Sequence, residues 1–394
     1  MKNILIISPD QPQNQMGGLG THLCNILKHI DQLNYNVKVI CLGTTDEVVT
    51  VNNIEVHHVL NESNLAPFKD AIQNVFLMQS KIVAKFMMLD FIPHVVHIMD
   101  WSTAFAGEVI AKQVNAKILF AVHLGINSQN NIPSVQYLNY QKACDIEVSA
   151  CKNANSIIHV SNAYAQTFPF NVFEFKTSII HNGVNMLDYQ SNAIDMAIGT
   201  NPIKIVYMGR LTDSKGIISL LEAKLPPLCD LIIVGGEQGS QDFLVKHINS
   251  ISRVLDTSGL SQEEKDKENA KRPIYYVGAK FGQEKADILA NADLVIMPSK
   301  EEPFGLVALE SMAAAQNGKT IIATSRVQGL SEFCNDTNSL FCGHSADEIT
   351  KCVDTFLSLT NEQKNIIRAG AVQTANQMTW IQTSINIQSI WGGL

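Results

Sequence analysis

Short apolar runs of strand length alternate with helix-like stretches along the whole chain of 394 residues. This alternation is typical of parallel sheets covered by helices, because parallel neighbours need a long crossover between them. In the first half the runs predict strands at 4–7, 37–42, 95–98, 118–122, 157–160 and 178–180. In the second half they predict strands at 203–208, 231–234, 274–277, 294–297 and 320–323. The sequence therefore predicts an α/β protein.

The strand pattern pauses once, in a polar stretch at 190–202. A chain of this length exceeds one ordinary domain and suits two of about 200 residues each. We therefore expect two doubly wound, Rossmann-like domains at 1–195 and 196–378, followed by a last helix at 379–394 that crosses back to the first. Ligands of such sheets bind beyond the carboxyl ends of the strands, so motifs that follow strands are the candidates for binding.

The composition excludes several classes of protein. A net charge of −8 argues against nucleic-acid binding, which normally needs a basic face. No window approaches the 18 apolar residues of a membrane span, and the first apolar run is shorter than a secretory core. The eight cysteines include no Cys-x-x-Cys pair. We expect a cytoplasmic protein, with peripheral membrane contact left open because a local basic patch can hide in an acidic total.

The segment 298–322, PSKEEPFGLVALESMAAAQNGKTII, joins a predicted strand to a helix that starts near Leu306. The N–H groups at that helix N-terminus point toward the preceding loop, and such an end attracts phosphate. Glu302 and Glu310 frame the turn with seven residues between them, so both carboxylates can face one cleft at different depths. The alternative is that Glu302 is a loop charge and Glu310 belongs to a solvated helix face.

This segment, EPFGL followed by a glutamate in a helix, resembles the E-x7-E signature of the retaining GT-B glycosyltransferases of the glycogen-synthase-like family (glycosyltransferase family 4 type). The resemblance covers nearly the whole chain and is strongest from 203 to 335. It implies that Glu302 contacts the donor sugar and that Glu310 holds the ribose hydroxyls. It also implies that the backbone amides of Phe304, Gly305 and Leu306 bind the diphosphate.

Arg210 and Lys215 follow a predicted strand in GRLTDSKG, which matches the family pattern G-R-L-x-x-x-K-G. Two cations at this edge of a sheet would stabilise the charge that builds on a departing diphosphate. Because they do the work of a metal and no Asp-x-Asp motif is needed, we expect no metal or other cofactor. The alternative is a pair of unrelated surface cations.

Gly17 and Gly18, in QMGGLGTHLCNIL, resemble the glycine loop of the same family, where backbone amides reach the diphosphate and the acceptor. A tight turn is an equal alternative. His123 ends a predicted strand and resembles the histidine that lies beside the donor sugar; a structural histidine is the alternative. Asp100 and Trp101 lie at an equivalent strand end and are expected to line the cleft on the acceptor side.

Gly236, in Val-Gly-Gly after a predicted strand, resembles the family's VGxG turn near the nucleotide. Two stretches depart from the family pattern. AAAQNGKTII at 313–322 replaces an Ala-x-Gly-x-Pro turn, and Val327-Gln328-Gly329 replaces a glycine pair. These departures weaken any inference about the donor from the sequence.

The resemblance implies a retaining glycosyltransferase. It would move a hexose of the glucose or N-acetylglucosamine type from a UDP-linked donor to an acceptor that the sequence does not identify: a glycan, a lipid or a small molecule. The alternatives are a nucleotide-sugar epimerase or hydrolase of the same fold, and a catalytically silent sugar-nucleotide-binding partner of another glycosyltransferase. The segment 66–91 fits core packing, an acceptor wall or a membrane face, with packing favoured. The oligomeric state stays open.

Overall fold

The computed structural model describes the chain in segments: residues 1–13, 17–61, 71–123, 125, 137–167, 169–191, 196, 198–236, 242–254 and 258–394. These residues form two compact units. Unit 1 consists of Met1–Asn182 together with Trp380–Leu394, and unit 2 consists of Gly183–Thr379. The division lies before the predicted joint at 195/196, and residues 192–195 and 197 of the predicted polar stretch fall outside the described residues.

Unit 1 is built on one eight-stranded sheet. Its strands are β1 (Lys2–Ser8), β2 (Tyr35–Gly43), β3 (Val48–Val51), β4 (Ile54–Leu60), β5 (Val95–Ile98), β6 (Lys117–Val122), β7 (Ser156–His159) and β8 (Thr177–Ile179). They lie in the order β3-β4-β2-β1-β5-β6-β7-β8, and only the β3–β4 pair is antiparallel. The described helices in the first half of the chain are α1 (Gly18–Lys28), α2 (Ala71–Met87), α3 (Ala104–Val114), α4 (Tyr137–Asn153) and α5 (Asn162–Ala165).

The strand order reverses beside β1, which lies between β2 and β5. Residues 4–7 of this strand are fully buried, as expected for a parallel strand covered on both faces. Alternate residues of β1 pack into two clusters, one with Leu23 of α1 and the other with Ile82 of α2. The carboxyl ends of β1 and β5 therefore mark the crevice where this kind of sheet binds ligands.

Unit 2 is built on one parallel sheet of six strands. The strands are β9 (Ile203–Met208), β10 (Cys229–Val234), β11 (Ile274–Tyr276), β12 (Leu294–Met297), β13 (Ile321–Thr324) and β14 (Leu340–Phe341). The helices are α6 (Ile217–Glu222), α7 (Asp242–Ile251), α8 (Gln262–Ala270), α9 (Gly282–Asn291), α10 (Leu306–Ala314), α11 (Leu330–Phe333), α12 (Ala346–Ser358) and α13 (Asn361–Gln377). The order β11-β10-β9-β12-β13-β14 reverses beside β9, so the carboxyl ends of β9 and β12 mark the crevice of this unit.

Every strand predicted from the sequence is present, with ends within two residues of those expected. The hairpin of β3 and β4 was not predicted. Its turn is formed by Asn52 and Asn53, both at positive φ, and β3 alternates between exposed and half-buried residues. An edge hairpin of this kind has no continuous apolar run, so it escapes a search for buried strands.

The last helix, α14 (Trp380–Gly393), belongs to unit 1 and packs against α1. Trp391 and Ile387 are buried in the cluster that contains Leu23. The Ser384 hydroxyl donates to the carbonyl oxygen of Ile26 over 3.2 Å. The end of the chain is therefore part of the unit formed by its beginning.

Helix α2 covers most of the segment 66–91, whose residues 66–70 fall outside the described part. Ile82 and Phe86 are buried in the core of unit 1, whereas Phe76 and Met87 on the same helix are exposed. Core packing accounts for one face of α2, and contact of the other face with a membrane or an acceptor stays a prediction. In the parts of the chain that the structure describes, no helix is long and apolar enough to cross a membrane.

Candidate functional site

The cations predicted after β9 lie at the carboxyl edge of the unit 2 sheet. The Tyr207 hydroxyl donates to the carbonyl oxygen of Arg210 over 2.7 Å, which holds the Arg210 backbone at the end of the strand. Within the described residues, the Arg210 guanidinium makes no hydrogen bond or ion pair. Burial raises the pKa of Tyr207, and the nearby charges of Glu302 and Arg210 act on it in opposite directions. Arg210 and Glu302 are therefore close to the same hydroxyl, and binding of a ligand by the Arg210 guanidinium stays a prediction.

Lys215 and Glu302 meet directly, although the chain separates them widely. The Lys215 ammonium lies 2.7 Å from Glu302 Oε2 and 3.2 Å from the carbonyl oxygen of Glu301. The two side chains are only 13% and 14% exposed. The structure thus brings together a predicted phosphate-binding cation and the predicted sugar-binding carboxylate.

Gly216 explains why a glycine follows Lys215. It has φ +74°, and a Cβ at this position would lie 2.1 Å from the carbonyl oxygen of Pro298. The backbone N–H of Lys300 donates to the carbonyl oxygen of Ser214 over 2.8 Å. The loop after β9 is therefore packed against the loop after β12, and this packing places Lys215 beside Glu302.

We expect Gly216→Ala to lower the free energy of unfolding by about 1–2 kcal/mol from the left-handed backbone alone, and further through the clash with Pro298. Urea unfolding measures the loss. Gly259→Ala is the matched control, because a Cβ at Gly259 meets nothing within 4 Å. Equal stability of the two variants would contradict the role given to Gly216.

The N-terminus of α10 forms the third part of this edge. Gly305 is its N-cap, with φ +106°, and no side chain of the described residues caps the helix. Phe304 is buried and packs against Phe333, with ring centroids 5.2 Å apart. Leu306 begins the helix, so its first turn presents backbone N–H groups to the loop. An anion is favoured at this end by those groups and by the helix dipole.

Glu310 does not lie on a solvated face, because it is only 4% exposed. The Lys285 ammonium lies 2.6 Å from Glu310 Oε2 but off the direction of a hydrogen bond, so this contact is an ion pair. Tyr189 lies near the same carboxylate, because burial and, after it, the charge of Glu310 raise the pKa of Tyr189 well above its usual value. Glu310 is therefore paired with Lys285 and lies near Tyr189, and the sequence analysis missed both side chains.

Gly236 follows β10, and its carbonyl oxygen accepts a hydrogen bond of 3.4 Å from the N–H of Leu211. A Cβ at Gly236 would make only an ordinary contact of 3.6 Å with Ala279 Cβ. Nothing in the described structure therefore requires a glycine here. The role of Gly236 in donor binding stays a prediction.

His123 lies directly after β6 in unit 1 and stacks edge-on against His22, with ring centroids 4.4 Å apart. His22 Nδ1 lies 2.7 Å from Asn182 Oδ1, and Trp380 packs edge-on against His22. Burial lowers the pKa of His22 to about 4 and the pKa of His123 well below its usual value. Both imidazoles are therefore neutral near pH 7. His123 Nε2 is buried and has no hydrogen-bond partner within the described residues.

Asp100 and Trp101 follow β5 in a 3₁₀ turn. The Asp100 carboxylate accepts a hydrogen bond of 2.8 Å from the N–H of Ser102, so it caps the turn. Burial raises the pKa of Asp100 to about 6, against the hydrogen bonds from Ser102, which lower it, and with a smaller contribution from the charge of Asp10. Trp101 packs against the core of unit 1. Asp100 thus has a structural bond and a carboxyl group that titrates nearer to neutral pH than an ordinary aspartate does.

The glycines of the first motif begin α1. Gly17 is the N-cap and Gly18 is the first helical residue, while residues 14–16 fall outside the described part. The Asp10 carboxylate lies just after β1 and near the N–H of Gly20; burial raises the pKa of Asp10, and the Gly20 N–H acts against that rise. The sequence analysis missed Asp10, although it lies where a strand-end search looks.

The described residues contain no group of three or more His, Cys, Asp and Glu side chains that could hold a metal ion. All eight cysteines lie in described segments and are buried free thiols.

Comparison with known proteins assigns both halves of the chain. The family model described as Glycosyltransferase Family 4 matches residues 16–186, and the model described as Glycosyl transferases group 1 matches residues 190–373. The chain belongs to the GT-B glycosyltransferases. The predicted membership of the GT-B glycosyltransferases is confirmed, as is the prediction of a transferase, whereas the E-x7-E motif stays a prediction.

Relatives and solved structures agree with this assignment. The chain is 22% identical to an uncharacterized glycosyltransferase of Methanocaldococcus jannaschii, over 98% of each chain. The fold is similar to that of sucrose-phosphate synthase from Thermosynechococcus elongatus, with a TM-score of 0.78 at 17% identity over 100% of this chain and 99% of that one. It is also similar to HepE of Anabaena in complex with UDP-glucose, with a TM-score of 0.72 at 18% identity over all of both chains. The predicted α/β GT-B fold is thereby confirmed.

Proposed function

We propose that this glycosyltransferase transfers a hexose, of the glucose or N-acetylglucosamine type, from a UDP-linked donor to an acceptor hydroxyl with retention of configuration. The observation that carries the proposal is the Lys215–Glu302 contact of 2.7 Å. The Arg210 guanidinium, which has no hydrogen bond or ion pair within the described residues, lies close to this contact. It combines a carboxylate suited to sugar hydroxyls with cations suited to a diphosphate. The N-terminus of α10 supplies further N–H donors for the same phosphates.

The chemistry that these residues favour is loss of the diphosphate. The bond between the sugar's anomeric carbon and the phosphate oxygen breaks, and its electron pair stays on UDP, whose growing charge Arg210 and Lys215 stabilise. An ammonium has three donors, so Lys215 can keep Glu302 while it binds a phosphate oxygen. The acceptor oxygen bonds to the anomeric carbon on the face that UDP leaves, and its proton passes to a phosphate oxygen.

The donor proposal has two supports. HepE, which shares the fold, was solved with UDP-glucose. In this chain Glu310 is buried, paired with Lys285 and close to Tyr189, which holds its carboxylate in place to accept hydrogen bonds from two ribose hydroxyls. Because fixed cations already face the leaving group, we propose that the reaction needs no metal.

The acceptor side is proposed to lie in unit 1. Gly17 and Gly18 offer backbone amides there, and the neutral His123 can donate to or accept from a hydroxyl. Asp100 and Trp101 lie at the end of β5, one of the two strands that mark the crevice of this sheet. A hydroxyl-bearing acceptor suits these groups, whose polar atoms accept and donate hydrogen bonds without a fixed positive charge.

The test is release of nucleoside diphosphate from a panel of UDP- and GDP-sugars in EDTA, with and without a cell extract as the source of acceptor. We expect release from one UDP-sugar, stimulated by the extract and abolished in Glu302→Ala. Glu263→Ala is the matched control, because Glu263 lies on the exposed α8 with its side chain 80% exposed.

Each of the other outcomes would contradict part of the proposed function. Release or epimerisation that the extract does not stimulate would indicate a hydrolase or epimerase. No turnover of any donor would favour a silent sugar-nucleotide-binding protein. Dependence on added Mg²⁺ would contradict the proposed role of the cations.

A further inference from the structure

The loop after β13 contains two non-glycine residues in the left-handed region. Arg326 has φ +55° and Gln328 has φ +42°. Long side chains disfavour this conformation, and such residues persist only when the surrounding structure holds them. Because a glycine would avoid the strain, the side chain of Gln328 needs an explanation.

Gln328 and its neighbour hold both backbone groups of Glu302. The N–H of Glu302 donates to Gln328 Oε1 over 2.8 Å. The carbonyl oxygen of Glu302 accepts a hydrogen bond of 3.1 Å from the N–H of Gly329. The carbonyl oxygen of Gln328 is in turn held by the Ser331 hydroxyl at 2.6 Å. The loop after β13 therefore clamps the residue whose carboxylate contacts Lys215.

We propose that Gln328 is a positioning residue, whose side-chain amide fixes the backbone of Glu302 so that its carboxylate stays beside Lys215. The proposal rests on the proposed role of Glu302 in contacting the donor sugar. The left-handed backbone of Gln328 contributes to this positioning, because it turns the Gln328 side chain back toward the loop after β12. A glycine would relieve the strain but could not supply the acceptor.

Two variants separate positioning from a structural role. Gln328→Gly removes the acceptor and the strain together, whereas Gln328→Met removes the acceptor and keeps the bulk and the strain. We expect both to lower kcat by about 10–100-fold, the range that a misplaced catalytic group produces. Their stabilities should differ, with the urea midpoint of Gln328→Gly above that of Gln328→Met, because both lose the same hydrogen bond and only Gln328→Met keeps the backbone strain.

A second measurement does not depend on turnover. The Glu302 amide should exchange its hydrogen faster in both variants, because its acceptor is gone. Amide exchange of the full-length protein, read at Glu302, reports this directly. Asn115→Gly is the control, because Asn115 has φ +55° at the end of α3 in unit 1 and should leave both kcat and this exchange unchanged.

Wild-type turnover of Gln328→Gly would overturn the proposal, as would unchanged exchange of the Glu302 amide. If the wild type turned over no donor, the proposed function would fail by itself. The exchange measurement would then still decide whether Gln328 holds Glu302.

Discussion

Replacement of Arg210 or Lys215 by alanine is expected to lower turnover by about 10²–10³-fold, because losing one donor to a developing negative charge costs about 2.7–4 kcal/mol. Arg210 follows β9, its guanidinium makes no hydrogen bond or ion pair with the described residues, and Lys215 lies 2.7 Å from Glu302. Both cations thus lie at the strand end where a diphosphate binds in sheets of this kind. Lys215→Ala should do further harm, since it leaves the carboxylate of Glu302 half-buried without its cation.

Steady-state UDP release with the preferred donor measures both effects. The charge appears in the transition state, so kcat and kcat/KM should fall together. Arg210→Lys should recover part of the loss, because it keeps the charge but not the planar fork of donors. Lys267→Ala, on exposed α8 with its side chain 70% exposed, is the control for loss of a positive charge. Rates like those of the wild type from both alanine variants would refute the assignment of the site.

Asp230→Ala is expected to lower the free energy of unfolding of unit 2 by about 3–5 kcal/mol, because it leaves the buried Lys204 ammonium without its counter-charge. Asp230 is fully buried at the start of β10. Its carboxylate accepts hydrogen bonds of 2.6 Å from Lys204 Nζ and 2.9 Å from both the backbone N–H and the side-chain amide of Asn201. Alanine would remove all three bonds and leave the Lys204 ammonium in the interior.

Urea unfolding of the full chain measures this loss, with Asp266→Ala on the exposed α8 as the control. The double variant Lys204→Met with Asp230→Leu should recover part of the stability, because apolar residues of similar size do not leave a charge unpaired. A loss below about 1 kcal/mol in Asp230→Ala would mean that water reaches the Lys204 ammonium and compensates it.

The sequence alone predicted the sheets well, for a physical reason. A parallel strand covered on both faces must be apolar throughout, so each one appears as a short run, as residues 4–7 of β1 do. Since ligands bind at the carboxyl ends of such strands, Arg210, Lys215 and Glu302 could be selected from position and charge together. The structure then placed Lys215 and Glu302 in contact.

Features that lack a continuous apolar run could not be predicted in this way. The hairpin of β3 and β4 lies at a sheet edge and was missed, because β3 alternates between exposed and half-buried residues and the apolar run of β4 is broken by Glu55, His57 and His58. The division between the units, at 182/183, also differs from the predicted joint at 195/196. A polar stretch shows where strands are absent. The unit to which its residues belong depends on tertiary contacts, such as the hydrogen bond from Gln283 Nε2 to the Gln190 carbonyl oxygen within unit 2.

Within the site, the sequence determined which residues carry the charges and at which strand ends they lie. Only the tertiary structure decided their partners. Lys285 reaches Glu310 from a different helix, and Gln328 reaches Glu302 from the loop after another strand. Strand ends are dictated by local hydrophobic pattern, whereas the approach of two side chains depends on how loops from distant segments pack. Burial, which makes Glu310 an oriented carboxylate and His123 a neutral imidazole, follows from that packing alone.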